Sequence, residues 1–388
     1  MDQFLEGRTI AGRAIRVRYD TAGIADITEI GSTAVGRRPG LLLTPGLIDL
    51  QLNGFAGIDV NAPTGPLDLI ELVRRLWDRG VTTVFPTIIS AERSQTRSSI
   101  ARLVAAIDRD PLVAAAVPGL HLEGPYLSDQ DGYRGAHSAP LLRDPDIDEF
   151  DQWQRTANGL IAIMTLAPER TGALEFTRHL ADNGVLASIG HSAATAEQVH
   201  AFVAAGGRLS THLGNGIPSV IDRHRNPIWP QLVDDALTAG LIADGHHLPA
   251  DAFLGLVRAK GIERCVLTSD AAALAGCPPG DYTTPVGGAV TVASDGSLRL
   301  AGTPYLAGSG ASLLDCVRWA SRTIGPAAAV TMATANPARL LGLTDRGRLQ
   351  VGARADLVQF APAADGGPGE VVTVVVGGTV RVKDGART

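Results

Sequence analysis

Gly119-Leu120-His121-Leu122-Glu123-Gly124-Pro125-Tyr126 decides the reading of this chain. The apolar run Leu112–Val117 leads into it, Leu120 and Leu122 alternate with His121 and Glu123, and Gly124-Pro125 stops the pattern. Such a run predicts a buried parallel strand, 113–123, that delivers a carboxylate at its carboxyl end. A Glu there is costly unless something positive pairs with it, so a salt-bridged structural Glu is the plain alternative. The chain, however, repeats the pattern. Leu186–Ser192 ends in Gly190-His191-Ser192, and 208–215 carries Thr211-His212-Leu213. Residues 241–247 end in Asp244-Gly245-His246-His247, and 265–271 carry Thr268-Ser269-Asp270. Five apolar runs thus present a metal-competent or proton-transferring side chain at the same end.

Outward from this stretch, strands and helices alternate. Strand signals cover 41–52, 81–86, 113–123, 160–166, 185–190, 209–213, 236–243 and 266–269. Helical patterns lie at 66–79, where Leu67, Ile70, Leu72, Val73 and Leu76 share a side, and at 90–107, 174–183, 195–205 and 249–260. Eight strand units in this alternation predict an α/β fold, a (β/α)8 TIM-type barrel, whose catalytic residues sit at the carboxyl ends of the strands. Gly- and Pro-rich 278–300 predicts a hairpin insert, and 310–323 and 327–341 predict further helices. Short β-type runs at 12–19 and 23–30 are answered by 347–360 and by a hairpin signal, Val371–Val376, Gly377-Gly378, Thr379–Val382. The two chain ends are therefore expected to form one small β-sandwich domain, 1–44 plus 345–388, beside a hydrolase barrel at 45–344.

Length fits this division: 388 residues exceed a typical single core and suit a barrel of about 250 residues plus a smaller domain. A net charge of −6 argues against general nucleic-acid binding. No apolar run is long enough to cross a bilayer, and the start, Met1-Asp2-Gln3-Phe4-Leu5-Glu6, lacks a basic stretch and an apolar signal core. Cys265, Cys277 and Cys316 are odd in number and lack metal-binding spacing, as expected of reduced thiols in a cytoplasmic protein.

One carboxylate and two imidazoles, Glu123, His191 and His212, match a catalytic zinc site with three protein ligands and an open position. Such a metal lowers the pKa of bound water to about 7 and polarises a carbonyl. Asp270 is placed to take the proton and pass it to a leaving nitrogen, and His247 to hold the carbonyl oxygen or oxyanion. Any one of these histidines alone reads more simply as a satisfied buried residue; it is the agreement of five strand ends that argues for a site.

The chain resembles the amidohydrolase superfamily and, within it, the N-acetylglucosamine-6-phosphate deacetylase branch. The resemblance rests on Thr44-Pro45-Gly46-Leu47-Ile48-Asp49, Gln51-Leu52-Asn53-Gly54, His121-Leu122-Glu123-Gly124-Pro125 and Gly190-His191-Ser192. It continues through Thr211-His212-Leu213, Ile242-Ala243-Asp244-Gly245, Ser269-Asp270-Ala271, Leu306-Ala307-Gly308-Ser309 and the closing Gly-Ala-Arg-Ala-Asp-Leu-Val at 352–358. It implies the barrel, metal ligands at Glu123, His191 and His212, a general acid/base at Asp270 and a substrate-polarising His247. Many members open with His-x-His on strand one, where Gln51-Leu52-Asn53 stands here; others bridge two metals with a carboxylated lysine on strand four. The only lysines here are Lys260 and Lys383, neither near 160–166. One divalent ion per chain, zinc, is therefore expected.

The implied substrate is an N-acetyl amino sugar, as its 6-phosphate. Arg223, His224 and Arg225 follow strand six, and Gly214-Asn215-Gly216 offers backbone N–H groups for an anion. A solvated charged loop explains the same charges. By resemblance, Arg223 reaches a neighbouring subunit's phosphate site, which implies a homodimer, and His137 contacts the sugar. The family's His-Leu-Tyr-Asn-Ala-Met is His212-Leu213-Gly214-Asn215-Gly216-Ile217 here, and its basic Lys-Gly-Ala/Thr-His stretch is Tyr133-Arg134-Gly135-Ala136-His137. Pro278–Tyr282 and Thr303-Pro304-Tyr305 also depart from the family pattern. A hydrolase of a non-phosphorylated N-acetyl sugar or another N-acyl compound is the alternative, and a non-enzymatic scaffold on the same barrel comes third because the ligand set is complete.

Overall fold

Gly46 divides what reads as one strand into two with different destinations. In the computed structural model, which describes residues 3–31, 40–62, 65–285, 288–303 and 306–388, Leu42–Pro45 belongs to the small sheet and Leu47–Leu52 opens the barrel. A side chain at Gly46 would have its Cβ 2.0 Å from Thr82 Oγ1, so only glycine lets the chain pass this close to the second barrel strand. Leu42–Pro45 pairs antiparallel with Leu357–Phe360, while Leu47–Leu52 pairs parallel with the strand Val81–Ile89.

The barrel then runs through Leu120–Glu123, Ile161–Leu166, Leu186–Ile189, Leu209–Ser210, Thr238–Ile242 and Cys265–Thr268, each parallel to the one before. The eighth strand closes on the first through Asp49, whose carboxylate accepts from Ser269 N (3.1 Å), Ser269 Oγ (2.5 Å) and Thr268 Oγ1 (3.1 Å). Main-chain bonds from Asp270 N to Gln51 O and from Asn53 N to Ala271 O finish the seam. Strands covered on both faces need continuous apolar sequence, and Ile48, Leu120, Met164, Ile189, Leu241 and Leu267 are all buried.

Three expectations change. The third strand is Leu120–Glu123, not 113–123: Pro111–Ala116 is a helix, because Asp110 caps it from its side chain to Leu112 N and Pro111 suits its first turn. The sixth strand stops at Ser210, since the backbone turns at His212, where φ is 30°. The stretch 327–341 is two helices, Pro326–Met332 and Ala335–Leu340.

The chain ends combine in one eight-stranded sheet, ordered Ala386–Arg387, Thr379–Lys383, Pro368–Val376, Leu357–Pro362, Leu42–Pro45, Gln3–Arg8, Ala14–Asp20 and Gly23–Glu29. Gln3–Arg8, which the sequence reading missed, lies parallel to Leu42–Pro45; the other neighbours are antiparallel. Val17, Leu43, Ala355, Leu357 and Val375 form this sheet's own buried core. After the eighth barrel strand, the insert forms three antiparallel strands, Gly280–Thr284, Gly288–Val292 and Leu298–Leu300, packed on Leu274. Of the departures noted in the sequence, Pro304 and Tyr305 lie outside the described residues. No helix among the described residues is long and apolar enough to cross a membrane.

Candidate active site

The strand ends turn their polar side chains into one cavity of about 370 Å³ at the barrel mouth. His191, His212 and Asp270 do so with φ of 51°, 30° and 47°. This left-handed region costs an L-residue about 1–2 kcal/mol, so the surrounding packing must hold it.

Glu123 Oε1 lies 3.2 Å from His191 Nε2 and 3.0 Å from His212 Nε2. One ligand atom from each of the three residues falls within 4.8 Å of the others. Burial pushes the Glu123 carboxyl up, but the hydrogen bonds and charge of the two histidines outweigh it and hold it well below the carboxylate range. For His212 burial pulls downward, and the Glu123 bond and charge win, raising it. The donor set fits a divalent metal: one carboxylate, two imidazole nitrogens, and a His191 ring whose Nδ1 is already bonded to Tyr133 O at 3.0 Å, leaving Nε2 free to ligate. His191 is also wedged between glycines. A Cβ on Gly135 would lie 2.6 Å from its Cε1, and one on Gly216 2.8 Å from its Nδ1. Gly216 therefore stands where the ring leaves no room for a side chain.

Asp270 Oδ1 accepts from Asn53 Nδ2 at 2.7 Å. Burial first, and the Glu123 charge second, push Asp270 up to about 7. On the next strand end, Asp244 Oδ2 bonds His247 Nδ1 at 2.7 Å while its Oδ1 accepts His247 N and His246 N. That carboxylate fixes the His247 ring with Nδ1 inward, so Nε2 is the nitrogen left for the cavity. His137 also lines the cavity, with Nδ1 on Ser90 Oγ at 2.8 Å and its ring edge-on to His191, centroids 4.5 Å apart. Burial, then His191, push His137 down to about 3, so it serves as a neutral ring.

Asn215 and Gly216 line the same wall, and Asn215 Nδ2 has no partner among the described residues. Arg223 is not brought there: it lies on an exposed loop, where its main-chain carbonyl accepts from Trp229 Nε1. No described residue lining the cavity is Arg or Lys. Its outer wall is apolar, with Leu274, Val290, Leu298, Leu300 and Leu306.

A match to the amidohydrolase family model spans residues 42–381. The chain belongs to the amidohydrolase family. It is 36% identical over 346 residues to N-acetylgalactosamine-6-phosphate deacetylase of Escherichia coli O157:H7, covering 87% of this chain and 88% of that one. To N-acetylglucosamine-6-phosphate deacetylase of Bacillus subtilis strain 168 it is 33% identical over 327 residues, covering 82% and 80%. Among solved structures it is similar to a variant of N-acetyl-D-glucosamine-6-phosphate deacetylase from Mycobacterium smegmatis in complex with N-acetyl-D-glucosamine-6-phosphate, with a TM-score of 0.84, 30% identity and 95% coverage of both chains.

For this amidohydrolase, sequence reasoning missed the supporting residues. Asn53 reads in the sequence only as part of the stretch that stands where other members carry His-x-His, yet its amide donates to Asp270. Asp244, three residues before His247 in an Asp-Gly-His-His turn, had a legible signal in that spacing. The Tyr133 carbonyl and Ser90 had none, since both act across loops far apart in the chain.

Proposed function

We propose that this amidohydrolase cleaves the N-acetyl amide of an amino sugar, converting N-acetylglucosamine-6-phosphate to glucosamine-6-phosphate and acetate. The observation that carries this is the convergence of Glu123, His191 and His212 within 4.8 Å on the cavity that Asp270 and His247 also line. In this reading Glu123, His191 and His212 hold one divalent ion, zinc, which supplies Lewis acidity and lowers the pKa of a water. Asp270, steadied by Asn53, accepts the water's proton and passes it to the leaving nitrogen, so bond cleavage releases a neutral amine. His247, its ring set by Asp244, presents Nε2 to the carbonyl oxygen. His137, Asn215 and the Gly216 backbone position the sugar.

The phosphate reading calls on Arg223 from a neighbouring subunit. Support comes from Val220, Trp229 and Val233, which are 86%, 48% and 70% exposed around that loop and suit burial in a homodimer. Three free cysteines support a cytoplasmic location. The alternative, a non-phosphorylated N-acetyl sugar or another N-acyl compound, is favoured by one observation: the described cavity wall has no Arg or Lys and a largely apolar rim. Acetate release from N-acetyl hexosamines, each with and without a 6-phosphate, decides between them. The 6-phosphates are expected to give a higher kcat/KM by at least tenfold; equal values would favour the alternative.

A further inference from the structure

Beneath the metal-ligand cluster, inside the barrel, lies a second, much smaller cavity of about 10 Å³. Its polar wall is Gln51, His121, Ser210, Thr211, His212 and Thr268. Three of these are engaged. His121 bonds Leu50 O through Nδ1 and Thr165 Oγ1 through Nε2. Thr211 Oγ1 is bonded to both Thr165 Oγ1 (2.8 Å) and Ser188 Oγ (2.6 Å), and Thr268 Oγ1 reaches Asp49. The other three each have an atom with no partner among the described residues: Gln51 Nε2, Ser210 Oγ and His212 Nδ1. These residues are 3%, 0% and 3% exposed, so bulk water does not satisfy them. An unsatisfied buried polar group costs about 1–3 kcal/mol, and three around one cavity call for a shared partner.

Hydrogen-bond bookkeeping identifies that partner. When His212 Nε2 gives its lone pair to the metal, the ring carries its proton on Nδ1 and is a donor there, as is the Gln51 amide nitrogen. Two donors meeting in a dry cavity need an acceptor between them. A water accepts both and donates one proton to Ser210 Oγ, and a space of roughly 10–15 Å³ holds one water molecule. We propose that Gln51 and Ser210 hold a single buried water that accepts the Nδ1–H of His212 and so keeps its Nε2 aimed at Glu123 and the metal site. Gln51 and Ser210 are then positioning residues. His191 meets the same need with a protein carbonyl, Tyr133 O, so the two histidines are oriented by different means. Gln51 gains a role on the first strand that does not require it to ligate anything.

This inference rests on His212 being a metal ligand, and its test separates the two. A crystal structure of the full-length, metal-loaded protein at about 1.2 Å should show one water within hydrogen-bond distance of Gln51 Nε2, Ser210 Oγ and His212 Nδ1. Nitrogen-15 histidine spectra of the zinc-loaded protein should show His212 ligating through Nε2 and protonated on Nδ1, and Ser210→Val, which fills the space, should abolish that Nδ1–H signal. The milder Ser210→Ala should weaken zinc affinity by about 10–100-fold in chelator competition, the range seen when the partners of metal ligands are removed. A Gln51 oxygen bonded directly to Nδ1 with no water, or wild-type spectra and zinc affinity in both variants, would overturn it. If the wild type bound no metal, the ligand reading would fail instead, while the water between Gln51, Ser210 and His212 in the crystal structure would still report on this inference.

Discussion

Asp270 is the residue on which the proposed chemistry turns. Asp270→Asn keeps the size and the Asn53 neighbour but cannot take a proton. We expect kcat to fall by about 10²–10⁴, the usual range for an acid–base group, with the metal content unchanged. Steady-state kinetics paired with metal analysis checks this; near-wild-type turnover in a metal-replete sample would move the base elsewhere. At this scale the sequence was legible wherever chemistry alone names a residue, as with carboxylates and imidazoles at strand ends. It was not legible where the role depends on which atom faces which. Nothing in the string Gln51-Leu52-Asn53 says that the Asn53 amide turns to Asp270 while Gln51 turns beneath His212. Gly216 is of the same kind: its lack of a side chain is explained by the His191 ring, 25 positions earlier.

Strands one and eight meet at Asp49, an acid enclosed in the barrel seam. Burial pushes it up to about 6 despite the bonds from Ser269 and Thr268. An unfolded Asp titrates near ~4, so between about pH 4 and 6 the folded chain binds the extra proton. The protonated seam therefore stabilises the fold fully below about pH 4, and that contribution is lost as pH rises through about 6. Two units correspond to roughly 2–3 kcal/mol. Asp49→Asn, which resembles the protonated form, should show a stability advantage over wild type that grows across this window and levels off above it. Denaturant melts from pH 4 to 7.5 measure the difference; an advantage that shrinks with rising pH would contradict it. Element order and the barrel were readable because strands covered on both sides leave apolar runs that helices interrupt. Boundaries were less so. The apolar 112–117 run looked like strand until the Asp110 cap and Pro111 made it helix, and the break at Gly46 depends on Thr82, a contact that no local pattern encodes.

As a whole molecule, the chain gathers Glu123, His191 and His212 in one cavity and brings no described Arg or Lys to its wall. Arg223 stands outside its own cavity, on a loop flanked by exposed Val220, Trp229 and Val233. If a partner's Arg223 binds the phosphate, Arg223→Ala should lower kcat/KM for a 6-phosphorylated N-acetyl hexosamine by about 1.5–3 kcal/mol, the range for hydrogen bonds to charged groups. The plain sugar should be nearly unaffected. Mixing Arg223→Ala chains with His191→Ala chains should restore some activity through mixed dimers, and its absence at every mixing ratio would argue against a shared site. The β-type runs at both chain ends were legible, and they meet in one sheet; no local pattern reports on a second copy of the chain. The central claim, hydrolysis at a single-metal site held by Glu123, His191 and His212, is tested most directly by titrating zinc into metal-free enzyme while following acetate release from N-acetylglucosamine-6-phosphate. Activity should rise from near zero and saturate at about one ion per chain, with His191→Ala inert throughout. Full activity without metal, or saturation only at two ions per chain, would contradict it.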